Sequence, residues 1–179
     1  MRILKKIIFV LLAIVGIALV AGLVMTKDYA VEREITINQP KDSVFNYVKM
    51  MKNQDSFSVW NMKDPNSKRT FTGTDGKIGF IYSWNGNDDV GEGEQEIKKI
   101  IPGERIEMEL RFKRPMESTD YAYFVTEALS AHQTKVKWGF NGKMPYPMNV
   151  MMLFMNMDEM LGKDLQSGLD NLKSNLEKK

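Results

Sequence analysis

Side chains able to do covalent or acid–base chemistry are scarce in this chain. His132 is its one histidine, and there is no cysteine among the 179 residues. A histidine-centred triad or a multi-histidine metal site therefore has at most one member, and His132 lies in Ser130-Ala131-His132-Gln133, the pattern of a polar hairpin turn. The lack of cysteine removes disulfides, thiolate metal sites, a thiol nucleophile and an acylated cysteine together. Glu92, Glu94 and Glu96 alternate along a strand-like stretch, which is the pattern of a solvated sheet face rather than of paired catalytic carboxylates. Asp158 and Glu159 read as the polar side of a helix. Gly91-Glu92-Gly93 lacks the strand–turn–helix setting and the later glycine of a phosphate-binding loop. The expectation is no catalytic residue, no metal site and no cofactor.

Apolar side chains carry more information. Trp60, Trp84 and Trp138 fall on elements expected to face one interior, and a methionine-rich stretch from Met148 to Met160 would cover it. Methionine is unbranched and polarizable, so it suits ordinary core filling, a pocket wall that adapts to varied apolar ligands, or a surface that touches a bilayer.

The elements that would position these residues follow from periodicity. Residues 31–38 alternate β-branched and polar side chains and form an amphipathic strand. Pro40 suits the first turn of a helix over 41–52, with Val44, Phe45 and Val48 on one face, and a second short segment, helical or irregular, covers 53–61. The period then becomes two. Ile78, Phe80, Tyr82 and Trp84 share one face of a strand, and strands follow over 92–98, 106–113, 121–129 and 134–140. Ile106, Met108, Leu110 and Phe112 face the interior opposite a charged set, and Val136, Trp138 and Phe140 do the same. Short turn-linked strands in series predict an antiparallel sheet with one buried face. Pro145 and Pro147 end it, and 148–176 predicts one long helix whose Leu165, Leu169, Leu172 and Leu176 make a single stripe.

The N-terminus differs from everything after it. Residues 7–25 carry no charge, and at about 1.5 Å per residue they reach roughly the hydrocarbon thickness of a bilayer. Arg2, Lys5, Lys6 and Lys27 give the first 27 residues a charge of +4, while the 21 basic and 23 acidic residues that follow leave −2. The net +2 thus belongs to the anchor's flanks, and a slightly acidic domain lacks the clustered cations that nucleic acid requires. A basic start and small Ala21-Gly22 also fit a signal peptide; the run through Leu23, Val24 and Met25 exceeds the usual apolar core of one and favours a retained span. The chain divides into a basic cytoplasmic tip (1–6), a transmembrane anchor (7–25) and a folded domain (30–179). The positive-inside rule sends that domain to the non-cytoplasmic side of the cell membrane, as a single-pass protein.

The order of elements resembles the SRPBCC superfamily, which includes START domains, birch-pollen-allergen-like proteins and polyketide cyclases. Three stretches carry the likeness: Val31-Glu32-Arg33-Glu34-Ile35-Thr36-Ile37-Asn38-Gln39-Pro40 running into Lys41-Asp42-Ser43-Val44-Phe45-Asn46-Tyr47-Val48; Asn53 through Trp60; and Leu165 with Gly168-Leu169 and Leu172-Lys173. The resemblance implies an α+β helix-grip fold, a curved antiparallel sheet wrapped around a long C-terminal helix, here preceded by a transmembrane helix. It also implies a cavity between sheet and helix of the kind that holds lipids, sterols, polyketides or hormones, with no catalytic set shared across the superfamily. Phe80, Tyr82, Trp84, Met108, Leu110, Trp138, Met152 and Met155 are the expected wall. The leading expectation is a membrane-tethered binding domain for an apolar small molecule or lipid. A cyclase- or dehydratase-like enzyme using Tyr82, Tyr121, Tyr123 and Glu109 in the same cavity is the alternative, and a non-catalytic interaction or stress-response module is a third.

Overall fold

In the computed structural model, which describes residues 2–178, a long apolar helix leads into a seven-stranded antiparallel sheet closed by a C-terminal helix. Helix α1 covers Arg2–Val24, and every residue of it but Gly22 is at least partly exposed to the surroundings of the domain, with no polar stripe on any face. Strand β1 (Asp28–Ile37) follows, then α2 (Lys41–Val48), a 3₁₀ helix at Met51–Ser56 and the short α3 (Val59–Met62). Pro40 precedes α2 with φ −59°, a value its ring fixes, and Asp42 lies in the first turn where the helix dipole favours a carboxylate.

Strands β2 (Lys68–Thr72), β3 (Ile81–Asn85), β4 (Glu92–Ile101), β5 (Arg105–Arg114), β6 (Ser118–Ser130) and β7 (Gln133–Lys143) complete the sheet in the order β1-β7-β6-β5-β4-β3-β2. The chain therefore meanders from β2 to β7, and β7 pairs with β1 along its whole length, from Asp28 opposite Lys143 to Ile37 opposite Thr134. Helix α4 (Met157–Glu177) lies on the inner face with Leu165, Leu169 and Leu172 fully buried. Each such leucine contributes about 2 kcal/mol or more by leaving water.

Two expectations need correction. The strand carrying Tyr82 and Trp84 begins only at Ile81, and Ile78 is exposed rather than sharing their face. The cause is Gly79 at φ +83°, a left-handed kink that breaks the extended run. The single helix expected over 148–176 is also divided. Met148–Leu153 is a 3₁₀ helix, and α4 starts afresh after Asn156, whose extended backbone and side-chain acceptor from the Glu159 amide (3.1 Å) make an N-cap. An asparagine cap followed by Asp158 and Glu159 in the first turn is a stronger start signal than the continuous apolar stretch before it.

Two glycines of α4 face the sheet, and they differ in what they meet there. A Cβ on Gly168 would lie 2.6 Å from the Trp138 ring, which is locked by stacking on Phe124 and by edge contacts with Phe57 and Trp60. A Cβ on Gly162 would meet only the guanidinium end of Arg33, held by an ion pair to the exposed Asp158. The expected outcome in chemical denaturation is opposite to the usual helix preference for alanine at one position only. Gly168→Ala should lose about 1–3 kcal/mol through overpacking, while Gly162→Ala should stay within about 1 kcal/mol of the parent.

Candidate ligand cavity

Inward-facing residues on the strands follow a strict alternation. Gly93, Gln95 and Ile97 of β4, Ile106, Met108, Leu110 and Phe112 of β5, Asp120, Ala122 and Phe124 of β6, and Thr134, Val136, Trp138 and Phe140 of β7 all turn toward α4. At the sheet end where β1 finishes and β6 turns into β7, this face is filled by Ile37, Phe57, Ile97, Ile106, Phe124, Val136, Leu169 and Leu172. Toward the other end the filling stops and a cavity of about 520 Å³ remains. That size falls within the usual range for small-molecule pockets, about 300–1,000 Å³.

The cavity's walls come from the start of β1 (Tyr29), the ends of β3 and β5 (Trp84, Leu110, Phe112), the start of β6 (Ser118, Asp120) and the end of β7 (Phe140). Because neighbouring strands are antiparallel, these positions share the one edge of the sheet at which α1 joins β1. Buried Gln54, Tyr82, Gln95, Met108, Ala122 and Trp138 make the inner end, and exposed Lys63, Asp89, Pro115 and Met116 rim the mouth.

Of the expected wall residues, Tyr82, Trp84, Met108, Leu110 and Trp138 are brought together here. Phe80 is not among them; it lies in the core below the sheet edge, 1% exposed and stacked against Phe71. Met152 and Met155 are not either, because the break before α4 carries their segment away from the sheet, leaving both half-buried outside the cavity. Three of the four groups considered for catalysis lie on the outer face. Tyr121 is exposed, Tyr123 donates to Glu32 at 2.6 Å, and Glu109 pairs with Arg111, which also binds Glu94 and Glu96 at 2.8 and 2.9 Å. Glu94 and Glu96 are thus part of a solvated ion-pair lattice, and Glu92 accepts from the Asn85 amide at 3.0 Å on the same row. His132 is exposed in the β6–β7 turn.

Three polar groups belong to the cavity, and apart from Tyr82 their members were not apparent as site residues from the sequence. Gln95 donates to Gln54 at 2.9 Å, a buried amide pair that carries hydrogen-bonding capacity without charge. Position 95 shares the inward parity of Gly93 and Ile97, so the alternation that marked the neighbouring glutamates as outward also marks it as inward. The Tyr82 hydroxyl donates to Asp55 at 2.5 Å; Asn61 donates to both, and Arg69 closes the cluster against Asp55 at 3.1 Å. Burial, and then the hydrogen bond to Asp55, raise the Tyr82 pKa above that of an ordinary phenol, so its proton stays in place at neutral pH.

The third group is Asp120, 4% exposed on the cavity wall near the mouth. Its carboxylate accepts from the Lys143 amide at 3.2 Å and from the Ser118 hydroxyl at 3.1 Å. Burial pushes its pKa up despite these two donors. Tyr29, stacked on Phe140 beside it, is pushed up to about 12 by burial and by the Asp120 charge. No metal-binding cluster of histidine, cysteine, aspartate and glutamate occurs among the described residues.

No protein-family model and no curated protein sequence matches the chain. Solved structures do. Protein jhp0584 from Helicobacter pylori is 11% identical with a TM-score of 0.61, over 84% of this chain and 89% of that one. The Mll3558 protein from Rhizobium loti is 15% identical with a TM-score of 0.60, over 85% and 99%. Ginseng major latex-like protein 151 from Panax ginseng is 10% identical with a TM-score of 0.60, over 84% and 99%. The domain therefore shares the helix-grip fold of these structures, with an apolar helix added before it.

Asp120 provides a pH signature. With a folded pKa above the unfolded one, the folded state holds the extra proton, so the contribution of Asp120 to stability is greatest at acid pH and is lost as pH rises through that interval, from about 4 upward. Asp120→Asn keeps an acceptor for Lys143 or Ser118 and removes the titration. Denaturation midpoints measured across this interval should fall less steeply with pH in Asp120→Asn than in the parent.

Proposed function

We propose that this chain is a membrane-tethered binding domain for a neutral, mostly apolar small molecule or lipid held between the sheet and α4. The single observation that carries the reading is the cavity of about 520 Å³ walled by Trp84, Met108, Leu110, Phe112, Trp138 and Phe140, on a domain led by a helix apolar enough to cross a bilayer. An apolar ligand would be held by area burial, and the Gln54–Gln95 amides would orient one hydroxyl or carbonyl group at the inner end. Cation and carboxylate in the Arg69–Asp55 cluster already satisfy each other, which favours a ligand without net charge. A cleaved signal sequence would satisfy the same helix test, so the tether itself is part of the proposal. Arg2, Lys5 and Lys6 ahead of the span, against Lys27 followed by Asp28, favour a folded domain on the non-cytoplasmic side, and that sidedness is part of the proposal.

Full chain purified in mild detergent and examined by native mass spectrometry should carry a bound neutral lipid-like mass. Leu110→Trp, which enlarges a half-buried wall residue without touching the filled end of the core, should displace it. Its affinity for a fluorescent apolar probe should drop about tenfold or more, with the unfolding midpoint little changed. A chain with no ligand, no probe binding and no response to Leu110→Trp would end this reading. A reporter fused after the last residue should be active only on the non-cytoplasmic side.

A further inference from the structure

The apolar stretch 148–154 is not absorbed by the cavity or the core. Met151, Leu153 and Phe154 are exposed, Phe154 by 84%, and they lie on consecutive turns of one short segment. Exposed apolar side chains clustered this closely mark a contact surface rather than the ordinary scatter of a soluble face. The segment is also fixed in a particular place. Asn149 is fully buried and donates through Nδ2 to the carbonyl of Gly22 at 2.7 Å. Gly22 has no side chain to hold Val150 away; a Cβ there would stand 2.5 Å from Val150 Cγ2 and 3.3 Å from Asn149 Oδ1. Among the described residues, Gly22 is the one buried position of α1.

This clamp sets the depth of the segment. Gly22 lies three residues before the end of the apolar run at Met25, about 4.5 Å along the helix axis. An element packed on Gly22 is therefore level with the boundary between acyl chains and headgroups whenever the 7–25 stretch spans the bilayer. Interfacial elements bury their apolar side chains about 5–10 Å into that boundary.

We infer that residues 148–154, clamped to the last turns of α1 by Gly22 and Asn149, form a second, interfacial contact with the lipid bilayer through Met151, Leu153 and Phe154. The inference rests on the reading of 7–25 as a span. Its consequence is orientation: a single helix lets a domain tumble about its linker, whereas a helix and a foot hold one edge of the sheet down. That edge carries the cavity mouth, so a lipid would exchange between bilayer and cavity beside the membrane surface.

The absence of cysteine permits unique labels on the full chain. An environment-sensitive fluorophore is placed at Phe154→Cys in the foot, at His132→Cys in the turn at the far end of the sheet, and at Ile14→Cys midway along α1. The protein is reconstituted in phosphatidylcholine vesicles doped with phosphatidylcholine bearing a doxyl quencher high or low on its acyl chain. The label at 154 should shift to the blue and lose about half its emission to the shallow quencher, the label at 132 should be unaffected, and the label at 14 should respond most to the deep quencher. Adding Gly22→Val to Phe154→Cys should restore most of the lost emission by pushing Val150 off the helix. If the label at 14 is quenched and that at 154 behaves like that at 132, the foot is overturned and the tether stands. If the label at 14 is not quenched, both fall.

Discussion

The approach of α4 to the sheet is set where Gly168 meets the Trp138 ring, and much of the molecule's architecture depends on that distance. Trp138 cannot yield, since it stacks on Phe124 with centroids 4.9 Å apart and takes the edges of Phe57 and Trp60. With the helix seated there, Leu165, Leu169 and Leu172 close the far half of the interior completely. From the N-terminal turns of α4 only Leu161 lines the cavity, with Met160 turned out to water. The apolar stripe of the helix covers only part of its length, and the cavity is what the uncovered part leaves.

Two polar arrangements lie at the inner end of the cavity, and both are neutral or self-satisfied. Tyr82, Asp55, Asn61 and Arg69 form a closed cluster in which each charge has its partner. Gln54 and Gln95 pair with each other. Asp120 is the exception, a carboxylate kept at low exposure by two donors yet still pushed toward its protonated form by burial. By contrast, the outer face is a lattice of ion pairs around Arg111, Lys137 and their glutamates, each half in water. Such exposed pairs contribute little to stability individually and serve mainly to keep one face of the sheet solvated.

The N-terminal helix and the folded domain meet through a small joint rather than a broad interface. Gly22, Asn149 and Val150 are its working parts, with Tyr146 beside them. Sequence patterns of period two or 3.6 do not report such a joint, because its two halves are more than a hundred residues apart and each is a single side chain or its absence. The same limit applies to the Asp55–Tyr82 and Gln54–Gln95 pairs, whose members come from a 3₁₀ turn and from distant strands.

Periodicity by itself determined the order of elements, the inward set Met108, Leu110 and Trp138, the outward glutamates and the leucine seam, because these depend on the spacing of apolar residues along one segment. It also determined the apolar N-terminal helix, where the lack of any charge over 7–25 decides the matter. Tertiary structure decided what spacing cannot express. Gly79 moved the start of β3, and the Asn156 cap divided the expected final helix and took Met152 and Met155 away from the cavity. Those two methionines were read onto a wall because an apolar run has no preferred face until a cap fixes where its helix begins. The volume left between sheet and helix was likewise decided only by packing, since it depends on where α4 stops against Trp138.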